Sequence, residues 1–372
     1  MTEAGGSSIS SGGPSVGRPS VVHVNDIASV GSTLAAALRD FGAKATLLEP
    51  PRPGATLPYP WKAGVLPVRV LGLVAAGVGL RLRRPDLVHV HYARLGIVGP
   101  LAGRPYVLHC HGSDVRGVRP GSAWGREIGP LLRAAALVYV ATPDLLPDVR
   151  AFRPDARFLP NPIDVEAFAP RAAAPTRDLL VGVRLDPIKG LDRIVETVAS
   201  IVAARPSTSI TVIDQGRGVA DLMRVAGPSA RLLPPASRDV LPAVYQDHRV
   251  AVGQALVGAM GNYELEALAC GVPVLTAFHQ GAAYPVPPPL APAGDPTSAA
   301  ASACRLLDDE AARRELGDAA AAWVRAQHAA SAIARRLLGD YAGICPPFAP
   351  LAASADILPG DVPPAPSDQA AS

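Results

Sequence analysis

Short runs of apolar, largely β-branched residues recur along the chain, and stretches with apolar positions every three or four residues fall between several of them. Residues 21–24 form the first run. A Gly/Ser turn, a helical pattern over 34–41 and a second run at 45–48 follow, which predicts one β-α-β unit. Runs at 87–90, 106–109, 137–140 and 157–159 continue the alternation. Strands apolar at nearly every position are covered on both faces, so the pattern predicts a parallel sheet under helices. Over 169–176 the composition shifts to Ala, Pro and Arg with little periodicity, as in a linker. The pattern then restarts. Runs at 179–183, 209–213, 230–233, 250–252 and 272–275 predict a second sheet, with helices near 191–203 and 263–269. Residues 297–341 carry amphipathic helical spacing, the last helix starting at about Ala330. Two α/β halves facing a cleft are therefore expected.

Composition adds limits. A chain of 372 residues has room for two cores. Its 35 basic and 32 acidic residues nearly cancel, to a net charge of +3, and give no reason to expect a nucleic-acid partner. Lysine occurs only at Lys44, Lys62 and Lys189, so a lysine inside a motif stands out. The four cysteines are scattered, with no spacing that suggests zinc or disulfides. Residues 1–20 are rich in Gly, Ser and Pro without signal-peptide order, and 346–372 are rich in Pro, Ala and Ser. Both read as disordered tails, and a cytoplasmic location is expected. Residues 61–84 mix apolar side chains with Arg69, Arg81, Arg83 and Arg84. They are read here as an ordinary covering helix in preference to a membrane-contacting one.

Two segments carry chemistry. In Val183-Arg184-Leu185-Asp186-Pro187-Ile188-Lys189-Gly190 a predicted strand ends and a helix begins, with two cations five residues apart. Guanidinium, ammonium and the free N–H groups of a helix start all suit a diphosphate, and open α/β sheets bind ligands at this edge. In the second segment, 258–274, a small-residue loop enters a short helix that Asn262 is placed to cap. A helix carboxylate there, Glu266, suits sugar or ribose hydroxyls. His91, His109 and His111 fall near strand ends as a cleft-edge group, with no metal-ligand spacing in the sequence.

The two segments, together with Val88-His89-Val90-His91, His109-Cys110-His111-Gly112-Ser113-Asp114, Leu159-Pro160-Asn161-Pro162-Ile163-Asp164, Phe168 and Gly294-Asp295-Pro296, resemble the GT-B glycosyltransferases of the family 4 type. The resemblance implies a retaining enzyme of two Rossmann-like domains: an acceptor domain at 21–168, a donor domain at 169–326 and a helix at 327–345 crossing back to the first. Arg184 and Lys189 match the donor-diphosphate clamp, which implies that no metal and no cofactor beyond the nucleotide-sugar donor is needed. Glu266 matches the ribose-binding glutamate, and the N–H groups of Met260, Gly261 and Asn262 match the sugar and phosphate site. Gly31 matches a turn opening toward the cleft, and His111 a catalytic histidine near the reacting sugar. The acceptor is open between a small molecule, a polysaccharide and a lipid-linked acceptor. One departure stands out, since Gly258 occupies the position of a second family glutamate. A GT-B protein that binds sugar nucleotides without turnover is the alternative reading.

Overall fold

The computed structural model describes residues 18–54 and 64–355. The remaining parts of the expected tails, and Trp61 and Lys62, lie outside the described residues. The first sheet contains β1 (Ser20–Val24), β2 (Lys44–Leu48), β3 (Leu87–His91), β4 (Tyr106–Cys110), β5 (Leu137–Val140) and β6 (Arg157–Phe158). The second contains β7 (Arg177–Val181), β8 (Ile210–Ile213), β9 (Arg231–Leu233), β10 (His248–Val252) and β11 (Val274–Leu275). All pairs are parallel, in the orders β2-β1-β3-β4-β5-β6 and β11-β10-β7-β8-β9. Each order reverses direction once, between β1 and β3 and between β7 and β10. At such reversals the connecting helices leave on opposite faces and open a crevice at the strands' carboxyl ends.

Period-two alternation explains the cores. On the first sheet Val22, Val24, Val88, Val90, Leu108 and Val140 face one way, against Ile128 and Leu132 of the helix Ala123–Ala134. Val21, Leu87, Val107 and Leu137 face the other way. There they meet Leu34 and Leu38 of the helix Val30–Asp40 and Leu337, Leu338 and Tyr341 of the helix Ala330–Ile344. The second sheet buries Leu179, Val181, Val212 and Val252 against Ile194 and Val198 of the helix Leu191–Ala204 on one face. Its other face packs Leu180 and Ala251 against Leu265, Leu268 and Trp323. The chain changes partners at Ala329. Trp323 and Val324 of the helix Glu310–His328 belong to the second core, whereas Ile333 and Leu337 of the next helix belong to the first. A bridge between Ile163 and Ala329, and a contact of His328 Nδ1 with Asn161 O at 2.9 Å, pin the crossing.

The sequence reading placed both tails too far into the chain. Ser20 is the first residue of β1, with its amide and hydroxyl both on Asp86 Oδ2 at 2.7 Å. Past Ile344 the chain continues through a turn at Pro346–Phe348 and a helix at Ala349–Ser354. The cause is Phe348, which is fully buried against Tyr341 and so anchors a segment whose Pro/Ala composition resembles a tail. Among the described residues no helix is long and apolar enough to cross a membrane.

Candidate active site

The loops after β1 and β10 meet, because Asn262 Nδ2 donates to Ala28 O at 2.7 Å. The carboxyl edges of the two sheets therefore face each other. Ala28 and Ser29 both adopt positive φ in this turn, and Gly31 follows in the first turn of its helix. A Cβ on Gly31 would stand 2.8 Å from Asn25 O, so the glycine closes the turn from inside.

On the second sheet, β7 leads into the loop that carries Arg184 and Lys189. Arg184 is exposed, its Nε held 2.7 Å from Asp186 Oδ2, while Arg217 Nε stands 3.8 Å from the other oxygen of the same carboxylate. Lys189 is half-buried and its ammonium has no partner among the described residues. Gly190 (φ +81°) lies where a Cβ would come within 2.9 Å of the Ala255 carbonyl carbon, and Ala255 N donates to Lys189 O at 2.8 Å. Only glycine permits this approach, which locks the cationic loop to the one after β10.

That second loop is braced from within. Glu264 accepts from Gln254 N at 2.9 Å and Gly261 N at 2.8 Å, and Gln254 Oε1 accepts from Leu256 N at 3.0 Å and Gly258 N at 3.3 Å. Both side chains are buried and committed, so neither stands in for the carboxylate missing at Gly258. Gly258 has φ +74°, and a Cβ there would lie 2.6 Å from His279 Cδ2. Two expectations change here. The capping position of the helix Asn262–Ala269 belongs to Gly261, while Asn262 reaches across to Ala28. The Gly261 N–H is already taken by Glu264, which leaves the N–H groups of Met260 and Asn262 without protein acceptors among the described residues.

Beside these donors a cavity of about 160 Å³ is lined by Gly182, Gln215, Tyr245, Tyr263 and Glu266, among others. Glu266 is buried, with Oε1 2.8 Å from Arg238 Nη1 and Oε2 3.1 Å from Tyr245 OH. Burial raises its pKa, opposed by the Arg238 charge and both hydrogen bonds. Tyr263 OH accepts from Gly182 N at 3.0 Å and lies 3.2 Å from Leu180 O, fixing the back of the pocket.

The first sheet holds a buried cluster of histidines. His23, His89, His91, His109 and His111 lie together on the face of the first sheet that the returning helix covers, with adjacent ring centroids 4.4–5.5 Å apart. His111 Nε2 and His91 Nδ1 are 3.1 Å apart, His91 Nε2 and His23 Nδ1 3.0 Å, and His89 Nδ1 meets Tyr341 OH at 2.5 Å. Burial drives His111 and His23 down to about 3 and the other three well below their usual value, so all five rings are neutral at physiological pH. His111 therefore faces the cleft as a neutral donor or acceptor, without the charge of an imidazolium. Asp114 holds its loop, accepting from Ala93 N, His111 N and Gly112 N at 2.7–2.9 Å.

A family model described as Glycosyltransferase Family 4 matches residues 33–167, and one described as Glycosyl transferases group 1 matches residues 176–309. The chain belongs to the family 4 glycosyltransferases. Over 266 residues, 62% of this chain and 68% of the relative, it is 28% identical to a GDP-mannose-dependent monoacylated α-(1-6)-phosphatidylinositol monomannoside mannosyltransferase of Corynebacterium glutamicum. Its fold matches sucrose-phosphate synthase from Thermosynechococcus elongatus with a TM-score of 0.68 at 19% identity, covering 88% of this chain and 99% of that one. It also matches Anabaena HepE in complex with UDP and glucose with a TM-score of 0.65 at 14% identity, covering 87% and 99%. The two sheets are thus the two Rossmann-like halves of a GT-B fold.

In this glycosyltransferase Arg184, Lys189, Met260 and Asn262 flank one sheet reversal, Glu266 lines the adjoining cavity, and His111 stands on the opposite domain. Sequence reasoning missed Arg238, which neutralises Glu266 from an irregular segment without a motif, and Tyr245, which shares the same carboxylate. It also missed His23. That one was available, since His23, His89, His91, His109 and His111 occupy alternate positions at the ends of three strands, a period that places them on one face.

Proposed function

We propose that the protein is a retaining transferase that moves a sugar from a nucleotide-diphosphate donor without a metal on the diphosphate. The observation that carries this reading is the grouping, at the β7/β10 reversal, of two cations and two unclaimed N–H groups beside a cavity lined by Glu266 and two tyrosines. The nucleoside enters the cavity, its ribose on Glu266, and the diphosphate lies between Arg184, Lys189 and the N–H groups of Met260 and Asn262. The bond from the sugar's anomeric carbon to the diphosphate oxygen breaks, and the acceptor oxygen bonds to that carbon from the same face. The acceptor's proton passes to the departing phosphate, whose negative charge Arg184 and Lys189 stabilise. His111, neutral, hydrogen-bonds a sugar hydroxyl.

The acceptor is a lipid-linked sugar at an anionic membrane surface. The Corynebacterium glutamicum relative carries a phosphatidylinositol acceptor in its name. In the present chain the helix Leu66–Arg83 buries only Gly77 and Leu80, while Leu66, Val68, Val70, Leu71, Val74, Val78 and Leu82 are exposed. Arg81, Arg83 and Arg84 are exposed at its end, and no acidic residue falls between Leu66 and Arg84. An apolar face with a basic end suits anionic headgroups.

Thermal-shift titration with UDP, GDP, ADP and their sugar conjugates tests the donor site, because a ligand of the native state raises its melting temperature. Arg184→Ala is expected to weaken the effective nucleotide about 10–100-fold, the loss of a charge-assisted hydrogen bond of about 1.5–3 kcal/mol. A folded protein that responds to none of them defeats the reading. Gly258 favours a second one, a sugar-nucleotide binder without turnover, which binding without product release from the donor supports.

A further inference from the structure

His91, His109 and His111 come from two neighbouring strands and reach one point. His91 pairs with His109 in the β3–β4 register, and His111 follows two residues later on the same face. Their ring centroids stand 5.3, 5.3 and 4.4 Å apart with planes tilted by 33–40°, and one nitrogen of each lies within 4.8 Å of the others. Three imidazoles on one tetrahedral ion, with metal–nitrogen bonds of about 2.0–2.1 Å, would hold their centroids about 5 Å apart. The rings already stand close to that arrangement. Neither nitrogen of His109 has a partner, though both are sealed from solvent. An unpaired buried polar atom costs about 1–3 kcal/mol, which a bond to a metal removes. Asp114, the nearby buried carboxylate, is spent on three backbone donors and does not compete.

We propose that His91, His109 and His111 form a binding site for one borderline transition-metal ion, of which Zn2+ fits best, on the N-terminal wall of the cleft. All-imidazole ligation suits zinc, copper and nickel over magnesium or calcium. His111 is the half-buried member, so it provides the entry path and leaves a fourth position facing the cleft, as in zinc sites with three protein ligands. The other triad, His23, His89 and His91, is a poorer site. Its rings are stacked within 6–23° of parallel, and the in-plane lone pairs of parallel rings do not converge on one ion. His109 and His111 are neighbours by their spacing of two on one strand face, but the third ligand, His91, joins them only through strand register. The ion is separate from the donor diphosphate, which lies on the other domain. It does engage His111, so a loaded site withdraws that imidazole from the sugar, and Zn2+ inhibits transfer. This last consequence rests on the role given to His111 above, whereas binding does not.

The test is metal content and ligand-field spectroscopy on the full chain. Chelator-treated protein, dialysed against Zn2+, is expected to retain one equivalent, and Co2+ in its place to give the intense visible bands of a four-coordinate ion. His91→Gln and His109→Gln should each weaken binding by at least the roughly 10–100-fold that loss of an outer partner costs. The distant His279→Gln should leave it within about twofold, whereas His23→Gln, which removes the outer partner of His91 Nε2, should weaken it by no more than that roughly 10–100-fold. X-ray absorption of the Zn2+-loaded parent, which needs no variant to fold, should show three imidazole neighbours. No retained ion, fewer than three imidazoles, or loss with His23→Gln but not with His109→Gln each overturns the assignment. One bound equivalent without inhibition would keep the site and remove the role given to His111.

Discussion

Arg238 and Glu266 offer a quantitative check on the donor pocket. Glu266 is buried with its carboxylate on Arg238 and Tyr245, and burial already raises its pKa despite both partners. Arg238→Ala removes the hydrogen bond and the charge, leaving a buried carboxylate with one neutral donor. A hydrogen bond to a charged group contributes about 1.5–3 kcal/mol, and the Arg238 side chain is 31% exposed, so partial screening puts the expected loss near the lower end, about 2 kcal/mol at pH 8. The sign of the pH dependence follows from the raised pKa. A carboxyl whose folded value exceeds its unfolded one favours the native state while protonated, and this stabilisation fades as pH rises through the folded value. Removing Arg238 pushes that value higher still, so the variant's deficit should be small near pH 4.5 and grow toward pH 8. Urea unfolding at both pH values measures this. Adding Glu266→Gln to the Arg238→Ala chain should recover most of the loss at pH 8 by removing the charge left behind. An equal deficit at the two pH values, or a double variant no more stable than the single one, would refute the account of Glu266 as a buried, compensated anion.

Three further outcomes are expected. Gly258→Ala should lower stability by about 1–2 kcal/mol, the cost of a side chain in the left-handed region, as read by thermal unfolding. A concurrent His279→Ala should recover only the part due to the contact with His279. Phe348→Ala should cost about 3–5 kcal/mol, because it empties a fully buried site beneath the returning helix; a change within error would mean that 346–355 behaves as the tail its composition suggests. Sedimentation with phosphatidylglycerol vesicles should capture the protein, and phosphatidylcholine vesicles should not. Replacing Arg81, Arg83 and Arg84 with Gln should weaken capture roughly a hundredfold, at about 1 kcal/mol per arginine near the surface.

The two-sheet architecture was legible because buried parallel strands announce themselves as uninterrupted apolar runs, and the segments carrying Arg184, Lys189 and Glu266 stand out because each is contiguous in sequence; their assignment to the donor is the proposal made above. What escaped was set by contacts between distant segments. Asn262 is a good capping residue by type, yet its amide is drawn off by Ala28, 234 positions away, and Glu264 serves the helix start from inside. Arg238 has no local signature because its partner is 28 positions on. The histidines were visible one by one, but their convergence depends on the register of β1, β3 and β4.

Gly258 joins both kinds of information. Sequence shows that a glutamate is missing there. The backbone shows that the position has become one where a side chain is costly, through its positive φ and through His279, whose N–H also donates to Gly258 O at 2.9 Å. The loop is thus built around the glycine, and its remaining polar side chains, Gln254 and Glu264, are spent on holding it. A carboxylate cannot be restored at 258 alone, because Gly258→Glu meets the backbone conformation before it meets any substrate. If the donor sugar needs an acidic contact in this enzyme, it must come from outside the loop. Lys189 O holds Ala255 N of that loop, but among the described residues no hydrogen bond joins Arg184 or Lys189 to Gly258 itself, so nucleotide binding should survive Gly258→Ala even where stability falls. Parallel titrations of the parent and the Gly258→Ala chain with the nucleotide that shifts the parent would settle it, and loss of affinity beyond about tenfold, more than 1.4 kcal/mol, would show that the glycine's conformation itself shapes the phosphate site.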